Sequence, residues 1–500
     1  MSDAQQAGTA PQAVEQTVEQ PVSLLDQIVE QGRLARDPTD LKAKERGKDL
    51  VKEFVAQVLE GSMTVSKDAD VMITARIAQI DHLISIQLNE VMHHVSFQKL
   101  EGSWRGLKYL MDQSETSVML KIRMLNVTKR ELLRDMQRAP EFDQSALFKK
   151  VYEEEYGVFG GAPFAAMIGD YEFTKHPEDV ELLEKISNVA AAAHAPFLSA
   201  ASPEMFNMDS FTQIGNPRDI GKIFDTTEYA KWKSFRLSED SRYVGLTLPH
   251  VLIRLPYGKA GASVDGFNYE EGVDGTDHSK YLWSNAAYCL GARLTNAFAR
   301  YGWCAAIRGV EGGGLVEDLP THNFTTDDGE IALKCPTESP ITDRREKELA
   351  DWGFVPLLHC KDTDYAAFFS VQSCQKPRIY DKDAANANAR LSTQLPYIMA
   401  VSRFAHYLKA MMRDKIGSFM ERSDCQFFLN QWIQHYVAVG DVGPTIKAQK
   451  PLAAASIEVS EVPGKPGAYR AIAFLRPHFQ LDELSVSLRL VAELPASAKK

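Results

Sequence analysis

Several clusters in this sequence carry residue types that could do chemistry, and spacing decides what each can do. Gly312-Gly313-Gly314 follows Arg308-Gly309-Val310-Glu311. A glycine-rich loop can cradle phosphate, but a P-loop needs Lys-Ser/Thr after its last glycine, and Leu315-Val316 stand there instead. Dinucleotide-binding spacing is absent too, so the run reads as a tight turn. His93 and His94 could ligate metal, but neighbours on a helix point about 100° apart and no H-E-x-x-H pattern is present. A helix-end or packing role is expected. Cys360 adjoins His359, yet a thiol nucleophile needs its histidine close in space rather than in sequence. Cys360 therefore reads as a buried structural thiol. Ser241, Ser263 and Ser284 sit in no G-x-S-x-G elbow. Thr325-Thr326-Asp327-Asp328-Gly329 lacks the EF-hand ligand ladder and reads as a hairpin turn. Arg344-Arg345-Glu346-Lys347-Glu348 reads as a solvated helix face laced with i,i+4 pairs, with contact to a charged partner as the sharper alternative. No catalytic, cofactor-binding or metal-ligating residue emerges, and the expectation is a protein that is not an enzyme.

The elements around these clusters are those of a large α+β protein. Length, 500 residues, corresponds to roughly three domains. Hydrophobic residues make up 44% and charged residues 25%, a soluble globular composition. The net charge of −11 argues against a nucleic-acid footprint. No secretory signal or membrane span is read. The six cysteines show no C-x-x-C pairing and fit free thiols in a reducing cytoplasm. The sequons at Asn126 and Asn323 then carry no meaning.

Residues 1–22 read as disordered. Ser23 can cap a short helix in which Leu24, Leu25, Ile28 and Val29 form one apolar stripe. Periodicity predicts helices near 47–60, 69–94, 128–150, 180–195, 282–301 and 389–416, the last broken at Pro396. Strands are predicted at 118–127, 162–170 and 248–255. In the tail, 457–462 and 469–475 are extended around a Pro463–Gly467 turn. Leu484, Val486, Leu488 and Leu490 then alternate with Ser485, Ser487 and Arg489, the period of a half-buried strand. The expected organisation is a flexible segment, 1–60, a mixed α/β body, 61–380, and a C-terminal helix and strand region, 381–500.

Several blocks resemble one family. They are Phe97–Leu107 (FQKLEGSWRGL), Ile168–Phe173 (IGDYEF), Gly302–Gly314 (GWCAAIRGVEGGG), Ile341–Glu348 (ITDRREKE) and Ala473–Leu484 (AFLRPHFQLDEL). Together they are similar to the large subunit of the contractile sheath of type VI secretion systems, the family called TssC or VipB. The likeness runs from about residue 23 to 495. It implies a cytoplasmic structural subunit that binds no cofactor. Such a subunit pairs with a small sheath subunit (TssB or VipA-like) and polymerises with neighbouring protomers on a baseplate. The polymer surrounds an inner tube of hexameric rings and contracts to propel it. An AAA+ unfoldase (ClpV-like) afterwards dismantles the contracted sheath.

On that resemblance, Leu24, Leu25, Ile28 and Val29 are expected to dock on the unfoldase. Leu484, Val486, Leu488 and Leu490 are expected in a sheet shared between protomers. Two alternatives stay open: a sheath protein of another contractile injection device, phage-tail-like and built from one chain, and a cytoplasmic hydrolase with a scattered site.

Overall fold

A computed structural model describes residues 41–480, apart from 60–68, 259–261, 263–266, 327, 419, 441 and 466. The chain divides into two compact units, residues 1–83 and 84–500. In the first unit lie α1 (Leu41–Leu59) and the larger part of α2 (Ala69–Met92), up to Leu83. Leu50, Leu59, Ile73, Ile77 and Ile80 are exposed on them.

The second unit is built on a six-stranded sheet. Its strands are β1 (Met167–Phe173), β2 (Phe197–Ala201), β3 (Val244–Leu248), β6 (Leu315–Val316), β9 (Phe354–His359) and β10 (Ala366–Phe368), in the order β1-β2-β3-β9-β10-β6. The first four pair in parallel, and β10 runs antiparallel to both β9 and β6. Parallel strands need crossover helices, which cover both faces of the sheet. One face packs Phe197, Leu246, Phe354 and Leu358 against α4 (Lys129–Arg138), α5 (Pro177–Ala193), α6 (Ala230–Leu237) and α8 (Asp343–Asp351). The other packs Leu198, Val355 and Leu357 against α7 (Ala287–Tyr301) and α10 (Leu395–Asp414).

Local chemistry places the helix ends. Thr128 and Glu131 form a reciprocal capping box on α4. Pro177 opens α5, and Pro396 opens α10. Proline at a first turn forfeits only a donor that lacks an intrahelical partner anyway. The predicted helix at 389–416 is therefore two helices, α9 (Asp383–Leu391) and α10, with Pro396 starting the second.

A third cluster closes the C-terminal end. Here α10, α11 (Arg422–Gln434) and the hairpin β11 (Leu452–Glu461) and β12 (Tyr469–Pro477) bury Phe404, Leu429, Ile433, Ile457 and Val459 around Trp303. Trp303 stacks on Phe404 with ring centroids 4.2 Å apart.

The mixed helix-and-strand class read from the sequence is the class observed. Some elements differ. Residues 118–127 form no strand. The chain turns where Ser117 N–H donates to the Leu120 carbonyl, and no ladder partner follows among the described residues. Val118, Met119, Met124 and Leu125 are left exposed. The stretch 248–255 holds only the end of β3 and a two-residue strand, β4 (Val251–Leu252), paired with β5 (Trp283–Ser284). The Thr325–Gly329 turn does join a hairpin of β7 (Asn323–Thr325) and β8 (Ile331–Leu333).

Candidate assembly surface

The block Phe97–Leu107 lies on α3 (Val95–Asp112). His94 caps this helix, its Nδ1 accepting from Ser96 N–H at 3.3 Å. The inward side of α3 carries glycine. A Cβ on Gly102 would meet the Trp283 carbonyl at 2.7 Å, and one on Gly106 would meet the Tyr288 ring at 2.4 Å. Backbone therefore sits directly on the Trp283–Tyr288 segment.

Beside these glycines runs an ion network. Arg254 donates to both carboxylate oxygens of Glu271, at 2.6 and 3.1 Å, and its Nε lies 2.9 Å from Glu101. Arg105 bonds Glu101 at 2.6 Å and Tyr257 Oη at 2.8 Å. His93 Nε2 lies 3.1 Å from Glu271. Burial raises Glu271, but the Arg254 hydrogen bonds and charge hold its carboxyl below the ordinary value. This is a clamp, because removing one partner of a buried ion pair leaves an uncompensated charge. His93 and His94 thus take a packing and a helix-end role, as expected. The opposite face of α3 presents Leu100 and Trp104, 57% and 58% exposed.

The other blocks resolve the same way. Asp170 on β1 is half-buried, and burial raises its carboxyl against the lowering effect of Ser103 and Tyr288. Glu172 and Glu338 flank His250. Burial opposes its charge, but the two carboxylates push the imidazole up to about 10. In the glycine run, a Cβ on Gly313 would meet the Ala306 carbonyl at 2.3 Å, and Gly313 holds φ of 92°. It is the tight turn the spacing predicted. Arg308 reaches Gln394 at 3.2 Å.

Two readings need correction. The 344–348 run is not wholly a solvated face. Arg344 does pair with Glu348 at 2.9 Å, but Glu346 is buried, and Arg345 turns inward to the Pro217 carbonyl and Glu348. The run sits against the body of the protein, which periodicity in charge alone cannot reveal. Cys360 is exposed, not buried. His359 closes an edge-side turn through the Thr363 carbonyl at 2.8 Å, and Cys360 follows outside it.

Among the described residues, the C-terminal hairpin offers one free edge. On β11, Ile457 N–H donates to Asn430, Val459 N–H to Gln426, and the carbonyls of Ile457 and Ala455 accept from Asn430 and Gln434. Amide side chains of α11 therefore occupy the outer edge of β11. Ser456, Glu458 and Ser460 must then point at β12, opposite Phe474, Ile472 and Arg470. Both backbone groups of a strand residue point to the same side. It follows that Ala471, Ala473 and Leu475 turn their N–H and C=O to the outer edge of β12, where no strand pairs among the described residues. Ile472 and Phe474 lie exposed on the open face, at 43% and 54%.

The predicted docking residues Leu24, Leu25, Ile28 and Val29, and the strand residues Leu484, Val486, Leu488 and Leu490, lie outside the described residues. Sequence reading missed Leu100, Trp104, Ile472 and Phe474. Their signal was an apolar residue at i and i+4 on a helix whose other face is glycine, and the even positions of the 469–475 strand. Among the described residues no group of three or more His, Cys, Asp and Glu could hold a metal ion, and no helix is long and apolar enough to cross a membrane.

Known proteins share this arrangement in sequence. The chain is 51% identical over 465 residues to the type VI secretion system sheath protein TssC1 of Pseudomonas aeruginosa, covering 92% of this chain and 93% of that one. Two solved structures overlap it weakly at 9% identity. The anti-feeding prophage baseplate gives a TM-score of 0.34, covering 63% of this chain and 66% of that one. The contracted helical sheath of the same prophage gives 0.31, covering 61% and 66%. The chain thus spans just under two thirds of the length of those chains, and overlaps this slight place no constraint on function. Family models match residues 74–375, as the EvpB/VC_A0108 tail sheath N-terminal domain, and residues 384–494, as its tail sheath gpW/gp25-like domain. With those matches covering most of its length, the chain belongs to the VipB tail sheath family.

Proposed function

We propose that this chain is the large structural subunit of a type VI contractile sheath, cytoplasmic and without catalytic activity. It forms a heterodimer with a small sheath subunit, polymerises with neighbouring protomers on a baseplate around a hexameric-ring inner tube, and contracts to propel that tube. The observation that carries this reading is the outer edge of β12, unpaired among the described residues, beside exposed Ile472 and Phe474, in a chain of this family. An open edge is an aggregation hazard on a monomer but a joint in a polymer, where an added strand brings backbone hydrogen bonds. Residues 484–490, or a partner's strand, supply the pairing.

The functional division follows the expected boundaries: an unfoldase-recognition segment, 1–60, a body, 61–380, and an inter-protomer region, 381–500. The two family models fall on either side of the second boundary. Contraction needs no nucleotide at firing, because two packings of one chain can differ by a few kcal/mol, and that difference accumulates over the polymer. The test is expression alone against co-expression with the small subunit. The chain alone should aggregate or be degraded, and the pair should be recovered together from the soluble fraction. Phage-tail-like sheaths are built from one chain, so a stable, partner-free subunit would contradict the proposal.

A further inference from the structure

The six-stranded sheet ends at β1, and that end looks unfinished. Strands β2 and β3 are buried along their whole length, whereas Met167, Ile168, Asp170 and Tyr171 of β1 are only half-buried and Glu172 is exposed. Met167 N–H donates to the Pro196 carbonyl, and the Phe173 carbonyl accepts from Ser202 N–H. The odd-numbered residues of β1 therefore turn their backbone groups toward β2. The carbonyls of Gly169 and Tyr171 agree, since both accept from the Ser199 hydroxyl on β2. Ile168, Asp170 and Glu172 must then turn their N–H and C=O outward. No strand pairs there among the described residues. The Glu172 carbonyl takes the Lys129 ammonium instead, at 2.8 Å.

Past this edge runs the stretch 118–127, whose side chains alternate as a strand's do although it has no ladder. Ile122 packs with Ile168, Leu110 and Tyr288 on the α7 side of the sheet. Arg123 points to the other side, over the Phe164 ring at 5.6 Å from its centroid, and Val127 joins the Phe173 cluster there. From Lys121 to Val127, no backbone N–H has an acceptor among the described residues. Ladder neighbours lie about 4.8 Å apart and bond backbone to backbone. Here a tyrosine side chain spans the interval, Tyr171 Oη donating to the Val127 carbonyl at 2.7 Å. Met119, Met124 and Leu125 lie exposed along the stretch, as they would where a neighbouring element is missing.

Two unpaired backbone rows thus border one interval. We propose that this interval is a vacant strand position, filled by an extended segment of the small sheath subunit that pairs with β1 on one side and with residues 121–126 on the other. The choice of partner rests on the heterodimer reading above. Strand addition of this kind draws affinity from main-chain hydrogen bonds and specificity from the side-chain pockets on either face. Both faces here are apolar, one formed around Ile122, Ile168 and Tyr288 and the other around Val127 and Phe173. The occupant must therefore be apolar at successive positions, the pattern of a strand buried on both faces. Outside its described residues this chain holds no such segment. Ser485, Ser487 and Arg489 interrupt the run from Leu484 to Leu490, and residues 1–40 never place more than two apolar residues in succession. A second copy would bring the same sequences, so a different polypeptide is required.

The test uses the full-length chain purified as a complex with the co-expressed small subunit. Hydrogen–deuterium exchange is followed by mass spectrometry, and a second preparation carries the photo-cross-linker p-benzoylphenylalanine in place of Met124. Peptides covering 121–126 and 168–172 should exchange on the order of 100-fold more slowly than unpaired amides. The cross-link should land on a small-subunit segment that is apolar at successive positions. A complex in which both peptides exchange as unpaired amides would overturn the proposal, as would a cross-link found only within this chain or between two copies of it. Either result leaves the heterodimer reading standing. Failure of the two chains to form any complex would overturn that reading and the occupant with it.

Discussion

Two neighbouring proline substitutions on β12 separate a joint from a fold. Ala471 points its N–H to the open edge, whereas Ile472 points its N–H at Glu458 of β11. Ala471→Pro removes no ladder bond among the described residues, and Ala471 is exposed, so the hairpin should survive. Edge positions with the N–H side facing solvent are where sheets tolerate proline. Ile472→Pro removes an internal donor and should weaken the hairpin. An incoming strand would lose the Ala471 bond, about 0.5–1.5 kcal/mol, and leave its own carbonyl unsatisfied at about 1–3 kcal/mol. A loss of about 2–4 kcal/mol is roughly 30- to 1,000-fold in pairing, and a helical polymer repeats it at every protomer. The assays are thermal melting of the heterodimer and negative-stain microscopy. Ala471→Pro should melt within a few degrees of the parent yet form no sheaths. Normal sheaths from Ala471→Pro would refute the edge assignment. Melting of Ala471→Pro and Ile472→Pro at the same lowered temperature would refute the register argument.

Three further outcomes follow from other parts of the molecule. Trp303→Ala should cost about 3–5 kcal/mol, read by urea unfolding, because it empties the space between Phe404 and Tyr436. The His250 cluster should give stability that falls on both sides of neutrality. The raised imidazole contributes fully below pH 6.5, less above it, and nothing once the pH passes about 10. The carboxyls of Glu172 and Glu338, held low against burial by His250, contribute above about 4.5 and lose that as pH falls. Half-exposed Glu172 is screened, so an alkaline loss of about 2–4 kcal/mol is expected, and urea midpoints at pH 7 and 10.5 should differ less in His250→Gln. Lastly, Leu25→Asp with Ile28→Asp should leave tube formation intact and reduce unfoldase binding in a pull-down. Loss of tubes with retained binding would make that stripe structural.

Helix α5 was legible because a 3.6-residue apolar period survives in a helix with one wet face, and α2 carried the same period although Ile73, Ile77 and Ile80 are exposed. Helix α3 was not, since its inward side is Gly102 and Gly106 rather than an apolar stripe. Strands β2, β3 and β9 escaped for the opposite reason. They are buried on both faces, so they show short apolar runs without alternation. The 118–127 run had strand composition but no ladder, and composition cannot supply a partner. The hairpin at 452–477 was found from Ile457 onward, because Leu452–Ala455 is alanine-rich and weak in strand propensity. The ion network joins Glu101 to Arg254 and His93 to Glu271. Pairs so far apart in sequence leave no local trace.

As proposed, this chain is one half of a two-component contractile polymer. Electron microscopy of the full-length chain co-expressed with the small sheath subunit tests it most directly. The expected result is hollow helical tubes containing both chains, absent when either is expressed alone. A soluble, monodisperse chain that forms no tubes with its partner, or forms them without it, would contradict the account.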